Sequence, residues 1–534
     1  MKPFQKLFLA PAALGLLSPL AAQAADLNLA GVNRYAEADV VDGQDQVTSI
    51  NQFSDVRPTD WAYQALSNLI ERYGCVAGYP NGTYKGGQAM TRYEAAALLN
   101  ACLDRITEVT DELKRLMKEF EKELAVLKGR VDGLEAKVGE LEATQFSTTT
   151  KLSGEATFLL GAYAFGGSAG EARDLAREEY GATVFVYDVR LNFDTSFTGK
   201  DLLRTRLRAG NWASSAFDGP TDFRSLKFDK SFESDAGPNV VDIDRLYYTF
   251  PVGDQLKFTL GARARNTELL ALKPVVYKSD LLDFFTGTFG ASGTYNKETG
   301  AAVGAIWKQK VKKGNPYLAA AVNYVAKNAA NGNPSEGGVG TDNSAASFMA
   351  QLGGAGKNWG LSAAYRYGQC GTNLRSGTGY TYRASRVGCD DLGNGGGNTN
   401  NFAVSAYWQP SESGWVPSIS GSWGISTFSD SYKVATDTQA AQSWMVGLQW
   451  SDVFVKGNKA GMAVGQAPFT TSAFSDTTPQ DGNYVWEWWY KFQVTDNISV
   501  TPALVYQSRP LGQNTPSGKS LDSLGGVVQV GFKF

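Results

Sequence analysis

The sequence predicts an all-β transmembrane barrel of about 16 antiparallel strands, preceded by a small α-helical module and a parallel coiled coil. Three observations lead there. The closing segment alternates strictly, with Val528, Val530, Phe532 and Phe534 on one face and Gln529, Gly531 and Lys533 on the other, and it stops on an aromatic carboxyl terminus. Period 2 puts lipid outside and water inside, although a half-buried edge strand alternates in the same way. The composition combines 59 Gly, 12 Trp, 24 Tyr and 28 Phe in 534 residues at a mean hydropathy of −0.25, so apolar and polar faces average out. Past the first 24 residues no uninterrupted apolar run is long enough for a spanning helix, so a membrane would be crossed by strands.

Taken in order, residues 1–24 carry Lys2 and Lys6, an apolar stretch from Leu7 to Leu20 and the small-x-small ending Ala22-Gln23-Ala24. This predicts a secretory signal peptide, followed by a linker over 25–50. A net charge of −3 provides no concentrated basic face, and no nucleic-acid partner is expected. With no histidine in the chain, Ser-His-Asp and Cys-His hydrolases and the usual catalytic zinc sites fall away. The expectation is therefore a protein that is not an enzyme, with no cofactor and no metal. Four cysteines in an oxidising compartment favour two local disulfides, Cys75 with Cys102 and Cys370 with Cys389. For the first pair, buried thiols in a helical core are the alternative.

Residues 51–105 read Phe53-Ser54-Asp55-Val56, then Asp60-Trp61-Ala62, a helical pattern through Leu66, Leu69 and Ile70, the turn Gly78-Tyr79-Pro80-Asn81-Gly82, and Thr91-Arg92-Tyr93-Glu94. Thr91 with Glu94 three residues on forms a capping box for a following helix. In this order the motifs closely resemble the S-layer homology module. The resemblance implies a cell-wall-linked polysaccharide, often acidic through pyruvate ketals, as ligand. It implies binding through Gly78, Tyr79, Asn81, Gly82 and Arg92, whose guanidinium offers a planar fork to a carboxylate. Trp61 either stacks on a sugar or packs in the module's core.

Apolar or tolerated residues then recur at steps of three and four from Leu103 through Leu124, Val131 and Val138 to Leu141. This predicts a coiled coil over 106–145. Glu123 with Lys128 and Arg130 with Glu135 are opposite in sign at the flanking positions, as parallel chains prefer. A single amphipathic helix docked on its own domain is the alternative. Valine at a with leucine at d leans toward dimers, while Val109 and Leu116 at g widen the early seam and Phe120 needs space, and a homotrimer is the state expected.

Over 150–534, segments of eight to twelve residues alternate faces, as in Tyr187/Val189/Leu191/Phe193 against Asp188/Arg190/Asn192/Asp194. Turn-rich stretches at 328–343 and 368–400 suit long loops, and Thr198-Gly199-Lys200 suits a tight turn. At about 24 residues per strand with its share of loop, the segment accommodates about 16 strands and leaves a lumen. If Leu203, Thr205 and Leu207 face out, Arg204, Arg206 and Arg208 line the inner wall. Arg190 joins them, as do Arg263 and Arg265 with Leu260, Ala262 and Ala264 outside. A charge on the lipid face near the midplane costs about 2–4 kcal/mol, so these arginines should point into water. The alternative is that they sit solvated near strand ends. Residues 266–290, with Asp280 and Asp283, are the candidate for an inward-folded loop facing that wall, or equally for a further strand.

Signal peptide, single S-layer homology module, coiled coil and large barrel, in that order, resemble the outer-membrane porins of cyanobacteria, whose barrel is assigned to the carbohydrate-selective porin family. The resemblance implies an outer-membrane protein with its module and coiled coil in the periplasm. It implies passive diffusion of small hydrophilic solutes and inorganic ions, and tethering to peptidoglycan-linked polysaccharide. A substrate-specific channel for carbohydrate or iron, or mainly a structural tether, are the alternatives.

Overall fold

The computed structural model describes residues 49–60, 63–73, 82–86, 149–392 and 396–534. The chain divides into two compact units, Met1–Ala143 and Thr144–Phe534. Trp61, Cys75, Gly78, Tyr79, Asn81, Arg92, Cys102 and the seam over 106–145 lie outside the described residues, as does the segment 1–24.

In the first unit the helical periodicity is realised in α1 (Tyr63–Tyr73). Leu66 and Ile70, four apart and so on one face, are buried with Ile50 and Phe53, and Val56, Tyr63 and Tyr84 pack alongside. Asp55 of the Phe-Ser-Asp-Val motif accepts from the backbone N–H of Tyr84 at 2.7 Å and of Lys85 at 2.6 Å. Those two hydrogen bonds hold its carboxyl below the ordinary value. The Gly82 carbonyl accepts from Ser54 N–H at 3.0 Å. The motif is thus tied to the residues just after the Gly-Tyr-Pro-Asn-Gly turn.

The second unit is a closed barrel of sixteen strands. The first six are β1 (Thr150–Gly166), β2 (Val184–Thr195), β3 (Leu202–Gly210), β4 (Asp242–Val252), β5 (Leu256–Arg265) and β6 (Thr299–Lys308). Then come β7 (Tyr317–Ala326), β8 (Ala346–Ala355), β9 (Trp359–Gln369), β10 (Asn398–Trp408) and β11 (Ser418–Phe428). The last are β12 (Thr438–Ser451), β13 (Lys459–Ala473), β14 (Tyr484–Gln493), β15 (Ile498–Ser508) and β16 (Asp522–Lys533). Every strand pairs antiparallel with its sequence neighbours, and β1 pairs with β16 from Glu155 opposite Lys533 to Gly166 opposite Asp522. Closure leaves no sheet edge, so every strand has a ladder partner on both sides where lipid offers none.

Short turns and long loops alternate, defining a turn end and a loop end of the barrel. In the turn after β2, Asp201 accepts from Thr198 N–H at 2.8 Å and Phe197 N–H at 3.0 Å, and Gly199 adopts a φ of 75° that a side chain would strain. Aromatic residues are exposed near the turn end, among them Trp359, Trp408, Trp415, Phe454 and Phe534, where an interfacial belt belongs.

The alternation breaks at one predicted site. The pairing of β5 shifts between Gly261 and Ala264 on one side and around Ala262 on the other. Across this bulge Ala264 does not face lipid, as strict alternation requires, but is fully buried with Tyr247, Leu269, Ala302 and Val325. A second bulge, at Asp244 between β3 and β4, puts Asp244 and Arg245 both into the interior.

Candidate functional site

Three long loops fold back into the lumen: L2 (211–241), L3 (266–298) and L5 (370–397). Residues 266–290 form no strand. They are the first part of L3, which contains the short helix α2 (Asp283–Thr286), and L5 contains α3 (Gly379–Ser385). Leu281, Leu282, Phe284 and Phe285 of L3 are fully buried with Phe217, Leu226 and Phe228 of L2 and with inward residues of β1 and β12–β16. The sheet makes room for them by omitting side chains. A Cβ on Gly447 would lie 2.7 Å from the Tyr277 ring, and one on Gly353 2.8 Å from Leu272.

Polar anchors fix L3. Tyr277 donates its hydroxyl to Glu487 Oε1 at 2.7 Å and accepts from Trp489 Nε1 at 2.8 Å, while Leu282 N–H donates to Glu487 Oε2 at 3.1 Å. Ser420 and Gln449 accept from the backbone of Tyr277 and Lys278, which brings L3 down to the turn-end half of the lumen. There Asp280 lies 3.5 Å from Lys278 and 3.9 Å from Lys491, beside a cavity of about 20 Å3 lined also by Glu155, Lys230 and Lys533. Asp283 is buried between Lys297 and Arg375, whose Nε reaches it at 2.7 Å. Burial opposes its ionisation, yet the two cations hold its carboxyl below the usual range.

Next to this packed side, continuing round the barrel from β1, stands the wall of β2–β5. Arg204 binds Asp194 in two parallel bonds of 2.7 and 2.6 Å, and Arg208 and Arg190 grip Asp188 from either side at 2.5 and 2.7 Å. Arg206 donates to Asn192 at 2.7 Å and lies 3.5 Å from Asp244 and 3.7 Å from Glu268. Arg263 approaches a carboxylate no closer than 3.9 Å, at Asp242, and Arg265 donates to the Thr299 hydroxyl at 3.4 Å. The wall is therefore a lattice of alternating charge and not a bare stripe of arginines.

Sequence reasoning missed several members. Asp188 and Asp194 alternate inward with the arginines, so cross-strand pairing could have found them. Glu487, inward between the outward Trp486 and Trp488, carries the same signal. Arg245 is hidden by the bulge at Asp244. Arg224, Lys227, Lys297 and Arg375 lie on loops, where no periodicity marks a face. In L2, burial pushes the Lys227 ammonium down to about 7 against the pull of its partner Asp218. Cys370 and Cys389 are joined by a disulfide that closes L5, with Cys370 packed on Leu374, Leu392 and Tyr432.

Two cavities open between wall and loops. One of about 380 Å3 lies among L2, β3–β5 and Arg375 of L5. Another of about 750 Å3 shares Arg224, Arg263 and Arg375 with it and is lined by Asn296, Asn328 and Asn373.

Comparison with known proteins gives two family matches: the carbohydrate-selective porin, OprB family, over residues 108–534, and the S-layer homology domain over residues 52–96. An uncharacterized protein of Nostoc sp. is 36% identical over 541 residues, covering 94% of this chain and 88% of its own. Another from Synechocystis sp. is 32% identical over 514 residues, covering 88% and 89%. The outer membrane protein SlpA of Deinococcus radiodurans is 38% identical over 93 residues, 16% of this chain and 8% of its own. Among solved structures, the high-pH structure of Pseudomonas putida OprB aligns with a TM-score of 0.46 at 12% identity, covering 74% of this chain and 96% of that one.

Proposed function

The chain belongs to the carbohydrate-selective porin, OprB family and is an outer-membrane protein with its S-layer homology module on the periplasmic side, and from that premise we propose that small hydrophilic solutes and inorganic ions diffuse passively through its barrel while the module tethers it to peptidoglycan-linked polysaccharide. The observation that carries this reading is a closed barrel whose interior keeps charged, cavity-bearing space between the wall of β2–β5 and the inward loops. Arg190, Arg204, Arg206, Arg208, Arg263 and Arg265 then line the solute path on one side. Asp280 and Asp283 act through L3, each in an ion pair of its own. Purified protein in planar bilayers, challenged with ions and with neutral sugars of graded size, tests the reading: a finite size cut-off for sugars supports it, and absence of single-channel current overturns it.

The packing of L2 and L3 against β1 and β12–β16 favours a second reading, a barrel that is mainly a structural tether. The same conductance measurement separates the two. A channel that passes one sugar in strong preference to others of equal size would instead mark a carbohydrate-specific path. Tethering by the module rests on the matched residues 52–96. We assign the acidic sugar to Arg92, with Trp61, Gly78, Tyr79, Asn81 and Gly82 around it, and the coiled coil over 106–145 to a homotrimer that gathers three modules and raises their joint affinity.

A further inference from the structure

In the lining of the cavity of about 380 Å3 arginines outnumber carboxylates. Setting aside the Lys227–Asp218 pair, six arginines line it, Arg208, Arg224, Arg245, Arg263, Arg265 and Arg375, against the three carboxylates Glu233, Asp235 and Asp244. Carboxylates just behind the lining account for half of the arginines: Asp188 pairs with Arg208, Glu268 with Arg245 and Asp283 with Arg375. The other three make no close ion pair among the described residues. Among the described residues Arg224 is ion-paired to no carboxylate, its donors going to the carbonyl oxygens of Gly219, Asp218 and Arg375. Among the described residues Arg265 donates to the Thr299 hydroxyl and is in no ion pair, and Arg263 reaches a carboxylate only at Asp242, 3.9 Å away. A second observation is independent of charge. Nη2 of Arg245, a side chain 1% exposed, and Nε of Arg263 are buried donors that make no hydrogen bond among the described residues. A buried donor left unmade is costly, and two such donors belong to residues that line this one cavity.

We propose that this cavity is a binding site for a phosphoryl oxyanion, held by Arg224, Arg263 and Arg265. The proposal rests on the channel reading and names its solute class. Guanidinium forks match the oxygens of phosphate two at a time, whereas chloride offers no such geometry. The adjoining space of about 750 Å3, reached past Arg224 and Arg263 and lined by Asn296, Asn328 and Asn373, has donors and acceptors for hydroxyl groups. A phosphate ester of a sugar would thus place its phosphoryl group among the arginines and its ring among the asparagines, while inorganic phosphate would occupy the first space alone.

The experiment measures chloride current through the full-length protein in planar bilayers at constant ionic strength, while inorganic phosphate or a hexose phosphate is added to the side of the long loops. Saturable block by inorganic phosphate supports the site, block by the ester alone supports it with the sugar phosphate as its source, and block by neither overturns it. In Arg263→Gln/Arg265→Gln, the concentration that halves each protein's own current should rise on the order of tenfold or more, the loss expected for two charge-assisted contacts. Lys310→Gln, at an exposed pair with Asp254 beyond β6, removes a charge elsewhere. An equal rise in that variant, or none in the double variant, would place the effect outside the cavity and refute the proposal. If the protein passes no chloride at all, the channel reading fails on its own. Equilibrium binding of radiolabelled phosphate to the detergent-solubilised protein and its double variant then decides the site separately, with loss of binding in the variant supporting it and equal or absent binding refuting it.

Discussion

Arg206 stands opposite Arg245 in the register between β3 and β4, a like-charge pair that destabilises a ladder unless carboxylates intervene. Asp244 and Glu268 intervene, each serving both arginines. The consequence for permeation has a definite sign. Neutralising Arg204, Arg206 and Arg208 removes three cations, strips Asp194 of its partner and leaves Asp188 with Arg190 alone, so the wall becomes more negative. The reversal potential in a salt gradient should shift toward cations, and the shift should shrink as added salt screens the wall. An unchanged reversal potential at low salt would place these arginines off the solute path. Asp283 supplies a pH prediction. Its folded carboxyl titrates below its unfolded value of about 3.9, so its contribution is complete above that value and is lost as pH falls through the lower, folded one. Hydrogen-exchange protection of L3 should therefore hold from neutral pH down to about 4 and fall only below it. Asp283→Asn leaves Lys297 with Asp229 as its remaining carboxylate and Arg375 facing an uncharged partner, and should weaken L3 by about 1–3 kcal/mol at neutral pH in the same measurement.

At the scale of elements, L3 is a loop with a strand's burial, held by side chains of several strands at once. Tyr277 is the joint, since its hydroxyl links Glu487 to Trp489. Tyr277→Phe should cost about 1–3 kcal/mol by leaving buried polar atoms unmatched. The barrel ladder would be untouched, so exchange at L3 should quicken while the strands stay protected, and current noise should rise. L5 has a covalent closure in Cys370–Cys389. Reducing it should cost about 2–4 kcal/mol and expose L5 to protease, with the strands again intact. Protection of L5 that survives reduction would show that the packing of Leu374, Leu392 and Tyr432 suffices.

For the whole molecule, the two compact units predict separable activities. Protein lacking residues 1–143 should form channels of unchanged unit conductance and lose binding to purified sacculi. Arg92→Ala in the full chain should weaken that binding while leaving conductance alone, through loss of the charged fork. Mass measurement in mild detergent checks the homotrimer, and monomers or dimers with sacculus binding intact would refute the gathering of three modules.

The sequence by itself determined the features that depend on local period and composition. Alternation at period 2 is imposed by lipid on one side and water on the other, and it placed Val528 outward, Arg204 inward and the strand count at about 16 before any partner was known. The Phe-Ser-Asp-Val motif was equally legible, because its residues act within one small module. Tertiary structure decided everything that needs two distant segments at once. Whether residues 266–290 form a strand or an inward loop was undetermined by their apolar character, since burial against β12–β15 and burial in lipid select the same side chains. The bulges that turn Ala264 inward and bring Arg245 beside Asp244 come from pairing across strands, which a one-dimensional alternation does not contain. For the same reason the arginines were visible singly. Which of them a carboxylate neutralises and which remain open to a solute is fixed only where loops L2, L3 and L5 meet the wall.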